Sequence, residues 1–358
     1  MKGMFAAVAV VAGLVVAGCG GGGGDTSLAP PPKDPDAPAT GTLRFFAYGD
    51  TIVDPMLDPF REENPDLDLK TASFDSNKAA AAKLAGGFEA DVVEVCTDEM
   101  QPLVARNLLR PLDERAVPAF GELAFSDQPE ARNASGEVLF VPASAGPQGL
   151  IVNTDEVDPS SVGSYADLFD PEFAGNVALE ATPLTAIGAT ALAMGMDDPM
   201  NLSDEQVTEA KDYLLDHRDQ FRSFAESDAS MVNLFKSGEV VIADGGRGTA
   251  QAMVEDGVPV EWIAPAEGSL SWVCGLAITS KAQNTDAAYK LINYYASPEA
   301  QAISGDMGFV AMNPKALPLV SPEFKKTADP RNLENAIPQT EPENADVYDR
   351  AWQEVQAG

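Results

Sequence analysis

From Thr42 onward the chain switches repeatedly between two hydrophobic periods. Short apolar runs such as "TLRFFAY", "LDLKTASF", "ADVVEVC" and "VLFVPAS" read as strands. Between them lie segments of helical period: "DPMLDPFREENP", stopped by Asn64-Pro65, then "NKAAAAKLAGG" and "EMQPLVARNLL". The same alternation returns in "GNVALEA", "PLTAIGATALAMG", "DEQVTEAKDYLLDHRDQF" and "EVVIADGG", and again after "GLAIT". Strands that alternate with helices over such a length require an α/β fold, with mostly parallel sheets covered by helices on both faces. Ser203 and Gln206 are spaced as a capping box, and Val207, Ala210 and Leu214 share one face of the helix that follows.

The 358 residues suffice for two domains of ordinary size. A net charge of −33 leaves no basic surface for nucleic acid, so that class is excluded as a partner. The acidity suits an exported protein or one adapted to salt. The first residues, "MKGMFAAVAVVAGLVVAGC", carry one lysine, an apolar run and small residues before Cys19. That run is too short for a good spanning helix and reads as a signal peptide over residues 1–18. "VAGC" resembles a bacterial lipobox, which makes Cys19 a lipidation site and a membrane anchor. Residues 19–41, rich in Gly and Pro, are expected to form a lipidated tether without a core of their own.

Two cysteines remain, Cys96 and Cys274, and the sequence leaves their pairing open. No Cys/His cluster exists, so no metal and no cofactor is expected. The only histidine, His217, falls near a helix end among charged residues, where the dipole favours a surface role over catalysis. A cysteine nucleophile would lack a base, and no nucleotide-binding glycine loop appears, so the chain is not expected to be an enzyme. "GSLSWVCGLAI" places Trp272 and Cys274 at the mouth of a buried strand. Strand mouths bind ligands in open α/β sheets, although both side chains could equally be core.

The order of elements and the wording of several stretches resemble the extracellular solute-binding proteins of ABC transporters, and within them the spermidine/putrescine-binding family. "RFFAYGDTIVDPMLDPFREENPDLDLKTASFDSNKAAAAKL", "VDPSSVGSYADLFDPEFAGNVAL", "EGSLSWVCGLAI" and "DAAYKLINYYASPEAQAISGDMG" carry the likeness, which covers roughly Leu43 to Gly358. It implies a type II periplasmic binding protein: two lobes with a ligand cleft between them, closing on a hinge. The implied division is 42–145 plus 268–312 for lobe 1 and 146–267 plus 313–358 for lobe 2, with crossings near Ala145–Gly149 and Ala264–Gly268.

The resemblance also implies a site. Tyr48, Asp50 and Trp272 match an aromatic, an acid and a stacking wall. Cys274 stands where a carboxylate belongs, and is expected to face the ligand as a near-neutral thiol. Thr182 and Thr185 replace an acidic pair, Cys96 and Asp98 fall where a serine and a tyrosine belong, and Gly246 beside Arg247 replaces a tryptophan. By this count the cleft has lost three carboxylates, kept Asp50 and gained Asp98. The solute implied is a small polyamine, delivered to ABC permease and ATPase subunits by a monomer held to the membrane through Cys19. The alternatives are an amino-acid derivative or organic acid held by Arg247 and the threonines, or a non-transport sensor lipoprotein.

Overall fold

The computed structural model describes residues 25–74 and 76–358; the signal-peptide and Cys19 readings fall outside them. The elements follow the alternation read from the sequence. The first lobe opens with β1 (Gly41–Ala47), α1 (Asp54–Glu63), β2 (Leu67–Ser73), α2 (Asn77–Ala85) and β3 (Val92–Cys96). Short α3 (Gln101–Ala105) and β4 (Leu109–Arg110) lead to the long β5 (Val141–Asn153). The second lobe contains β6 (Val177–Glu180), α4 (Pro183–Ala193), α5 (Asp204–Asp216), β7 (Phe221–Ala225), α6 (Asp228–Lys236), β8 (Ile242–Gly246), α7 (Arg247–Glu255) and β9 (Val260–Ile263). The chain returns through β10 (Leu270–Thr279), α8 (Thr285–Tyr295) and α9 (Pro298–Asp306), then ends with α10 (Lys325–Ala328), β11 (Ile337–Pro338) and α11 (Ala345–Ala357).

The strands run in the order β2-β1-β3-β10-β5-β8-β6-β7. Each end of this path is parallel: β2-β1-β3 in the first lobe and β8-β6-β7 in the second. The middle is antiparallel, because β5 and β10 carry the chain between lobes in opposite directions. The first half of β5 pairs with β10 and its second half with β8, so residues 145–149 lie inside one continuous strand. Two main cores result. Phe45, Leu57, Phe60, Val273, Ile278, Leu291 and Ile292 fill the first. Leu150, Tyr165, Leu179, Ile187, Leu214, Tyr348 and Trp352 fill the second.

Local signals behave as their chemistry demands. Asn64 caps α1, accepts from the Ala39 N–H at 2.5 Å and donates to the Phe60 carbonyl at 2.7 Å. Ser203 and Gln206 form the capping box of α5, and Val207, Ala210 and Leu214 are buried. His217 ends that helix half-buried against Tyr213 and Phe169, its Nδ1 2.8 Å from the Tyr213 carbonyl.

Two expectations need correction. Asp25–Thr40 is no free tether: Ala29 and Ala39 are fully buried in the first lobe's core, and the Tyr289 hydroxyl donates to the Ala29 carbonyl at 2.9 Å. Residues 313–358 also do not all join the second lobe. Ala316, Val320 and Ala328 pack with Ala302 of α9, and Leu333 belongs to the first lobe's core. Of this stretch, α11 packs on α4 and α5.

Candidate functional site

A cavity of about 500 Å³ lies between the lobes, where the parallel strands of both sheets end. Ligands collect at such strand ends because the diverging loops leave a crevice there. Tyr48 and Asp50 follow β1, Cys96 and Asp98 sit at the end of β3, and Thr182 and Thr185 follow β6; all six line the cavity with Trp272 and Cys274 of β10.

Three aromatic side chains, Tyr48, Trp272 and Phe309, shape its first-lobe wall. In the β10–β5 ladder Trp272 sits opposite Gly146. A Cβ at residue 146 would lie 2.5 Å from the indole, so only glycine lets the ring rest on the backbone there. Phe309 meets the same indole edge-on at 5.9 Å and also lines the cavity. Tyr48 packs edge-on against Phe74 at 4.6 Å, and its hydroxyl accepts from Asn77 Nδ2 at 3.1 Å. Asn77 accepts in turn from the Cys96 N–H at 2.8 Å, so one buried amide ties the ends of β1 and β3 together.

The cysteines correct the reading of a free thiol. Cys96 and Cys274 face each other across antiparallel β3 and β10, with Cα atoms 4.0 Å apart, and form a disulfide. Cys274 therefore presents a disulfide sulfur to the cavity, which neither ionises nor stands in for a carboxylate.

The count of acids is corrected as well. Asp50, Glu94, Asp98, Glu99, Glu180, Glu341 and Asp349 all line the cavity, against a single cation, Lys78, among the described residues. Burial raises the Glu94 carboxyl to about 7; the Thr51 hydroxyl and the Tyr48 N–H, which donates at 3.0 Å, oppose the shift, and Asp50 adds to it. Burial also raises Glu180 to about 7, helped by Asp228 and Asp98, while a hydrogen bond from Gln148 resists. Asp98 rises to about 6 through burial and the nearby Glu99 and Glu341, and its Oδ1 is buried without a partner. Burial and crowding of like charges disfavour the ionised forms together.

Thr182 caps α4, accepting from the Thr185 N–H at 3.2 Å and donating to the Thr185 hydroxyl at 2.8 Å. Gln339 Nε2 donates to the same Thr185 oxygen at 2.8 Å. The Thr182 hydroxyl is thus committed to the protein itself, and the Thr185 hydroxyl, which accepts both bonds, keeps its own proton to donate. Arg247 is not brought to the cavity. Its guanidinium lies over the Trp262 ring at 4.8 Å and donates to the Lys326 carbonyl at 3.1 Å, outside the lining. Trp262 packs against Gly149, where an added Cβ would lie 2.7 Å from its ring.

Sequence reasoning passed over Glu94 and Glu180, though each leaves a signal. Both are single acids within or at the end of an apolar strand, "VVEVC" and "VALE". A carboxylate in such a place is expensive unless a partner or a ligand compensates it. Among the described residues no group of three or more His, Cys, Asp or Glu could hold a metal ion.

Residues 55–332 match the family described as bacterial extracellular solute-binding protein. The spermidine/putrescine-binding periplasmic protein 1 of Haemophilus influenzae is 28% identical over 337 residues, covering 90% of each chain. The structure of a spermidine/putrescine ABC transporter substrate-binding protein from Streptococcus pneumoniae superimposes with a TM-score of 0.75 at 21% identity, covering 89% of this chain and 99% of that one. A periplasmic binding protein of Agrobacterium tumefaciens solved with glucopine shares the fold with a TM-score of 0.66 at 20% identity, over 88% of this chain and all of that one.

Proposed function

The chain belongs to the bacterial extracellular solute-binding protein family, and from that membership we propose that it captures a linear polyamine for an ABC importer. One observation carries the choice of solute: seven carboxylates and one lysine line a cavity walled by Tyr48, Trp272 and Phe309. A chain of methylenes between ammonium groups matches that mixture. The aromatic faces take the apolar part and attract adjacent cations, and the carboxylates take the ammoniums through charge-assisted bonds. Asp50, at the exposed rim beside Tyr48, suits one such contact, and Asp98 suits another. Thr182 and Thr185 shape the second lobe's side, and the Cys96–Cys274 disulfide supplies apolar wall.

The fold alone selects no ligand, since the structure with glucopine has it too. An acidic solute would need a cation deep in the cavity, and Arg247 is elsewhere. We read the protein as a binder and not an enzyme: both remaining cysteines are joined and His217 lies outside the cavity. Its partners are then a permease and an ATPase. The lipid on Cys19 would hold a monomer at the outer face of a membrane; among the described residues no helix is long and apolar enough to cross one.

The test is a thermal-shift and calorimetric screen of putrescine, spermidine, amino acids and organic acids. A ligand at 100 times its dissociation constant adds about 2.7 kcal/mol of stability. Spermidine or putrescine should stabilise the protein and the organic acids should not. Stabilisation by acids alone would overturn the polyamine reading.

A further inference from the structure

The second lobe contributes to the cavity a pair of side chains that the comparison of motifs does not supply. Gln148, on the crossing strand β5, is 5% exposed and lines the cavity. Its Nε2 donates to Glu180 Oε2 at 2.7 Å, so its amide lies beside a second lining residue. Its Oε1 is buried and accepts from no group. A buried acceptor without a donor is costly, and next to a carboxylate the missing donor is best supplied by a cation. We propose that Gln148 and Glu180 form an ammonium-binding subsite at the floor of the second lobe, filled by one end of the solute, and that filling it drives a proton from Glu180 to the buffer. The proposal rests on the polyamine reading.

The groups facing Glu180 fix the direction of the effect. Asp228 at the start of α6 and Asp98 across the cleft oppose its ionisation, and Gln148 favours it. Asp244 is fully buried with neither oxygen partnered, and burial holds it well above the usual carboxylate range, so it stands behind the subsite as a neutral acid. With the cavity empty, Glu180 near pH 7 is partly protonated. An ammonium donating to Glu180 and to Gln148 Oε1 supplies the one donor that the amide oxygen lacks and requires the carboxylate.

Calorimetry of spermidine binding in phosphate and in Tris at pH 7 separates intrinsic heat from protons released to the buffer. The wild type should release protons on binding. Glu180→Gln should weaken spermidine at least tenfold at pH 8 and release fewer protons at pH 7, and Gln148→Met should weaken binding with the fold intact by circular dichroism. Binding by Glu180→Gln within twofold of wild type, with equal proton release, would overturn the subsite and leave the polyamine reading standing. If neither spermidine nor putrescine binds the wild type, the reading and the subsite fall together.

Discussion

The two lobes meet the cavity by different means. The first presents ring faces, those of Tyr48, Trp272 and Phe309, and a disulfide that joins its central strands. The second presents a capped helix start at Thr182, an amide at Gln148 and a buried acid at Glu180, with Tyr348 of α11 as its one lining ring among the described residues. Ring stacking tolerates sliding along a methylene chain, whereas a carboxylate paired with an amide fixes a point. On the polyamine reading, the first lobe's rings take the methylene body of the solute, and both lobes supply acids for its ammonium ends.

The largest blow to this contrast should come from the disulfide. Replacing both Cys96 and Cys274 by Ser should cost about 2–5 kcal/mol in urea unfolding, because the bond closes a long loop. If the cost were below about 1 kcal/mol, the first lobe would not owe its rigidity to the crosslink. Next is the indole. Trp272→Ala should weaken spermidine by tenfold or more, about 1.4 kcal/mol, by calorimetry. Gly146→Ala should damage the same wall from behind, at about 1–3 kcal/mol of stability, since the new methyl overlaps the ring.

A smaller effect sets the empty and filled protein against each other. Glu94 and Glu180 lie at about 7 when folded, against an ordinary glutamate value of 4.5. Between those values the folded chain holds protons that the unfolded chain has shed. The empty protein should therefore become less stable as pH rises from about 5 to 8, seen as a falling melting temperature. Spermidine affinity should move the opposite way and increase over the same range. A parallel trend in both would mean that these acids do not face the solute. The smallest effect belongs to Arg247. Arg247→Gln should alter spermidine affinity less than twofold and cost under about 1 kcal/mol of stability, through its lost contact with Trp262.

Much of this architecture was legible in the sequence. The alternation of periods from Thr42 carried the α/β order, because local pattern sets it, whereas the stretch around Trp272 left its ring open between core and cleft until the family resemblance was brought in. The site's charge was not legible by the same route. Matching positions one for one found threonines at 182 and 185 and a cysteine at 274, and concluded that acids were missing. The cavity draws its acids from other strand positions, Glu94 and Glu180, and from Glu341 far along the chain. Only the folded arrangement brings those together. Arg247 failed for a related reason: a turn beside a cleft does not fix which way a long side chain leaves it, and Trp262 decided. The pairing of Cys96 with Cys274 depended on β3 and β10 becoming neighbours across 178 residues.

That separation has a covalent consequence. The crosslinked cysteines stand on either side of the second lobe in the chain, α11 excepted, so all of that lobe from β6 to β9 belongs to a closed ring of polypeptide. A protease that cuts one loop within 97–273 opens the ring without releasing a fragment. Nicked protein should migrate as one species until a reductant is added and as two afterwards. The ring also means that the second lobe can unravel and refold while its two ends stay pinned at the floor of the cavity.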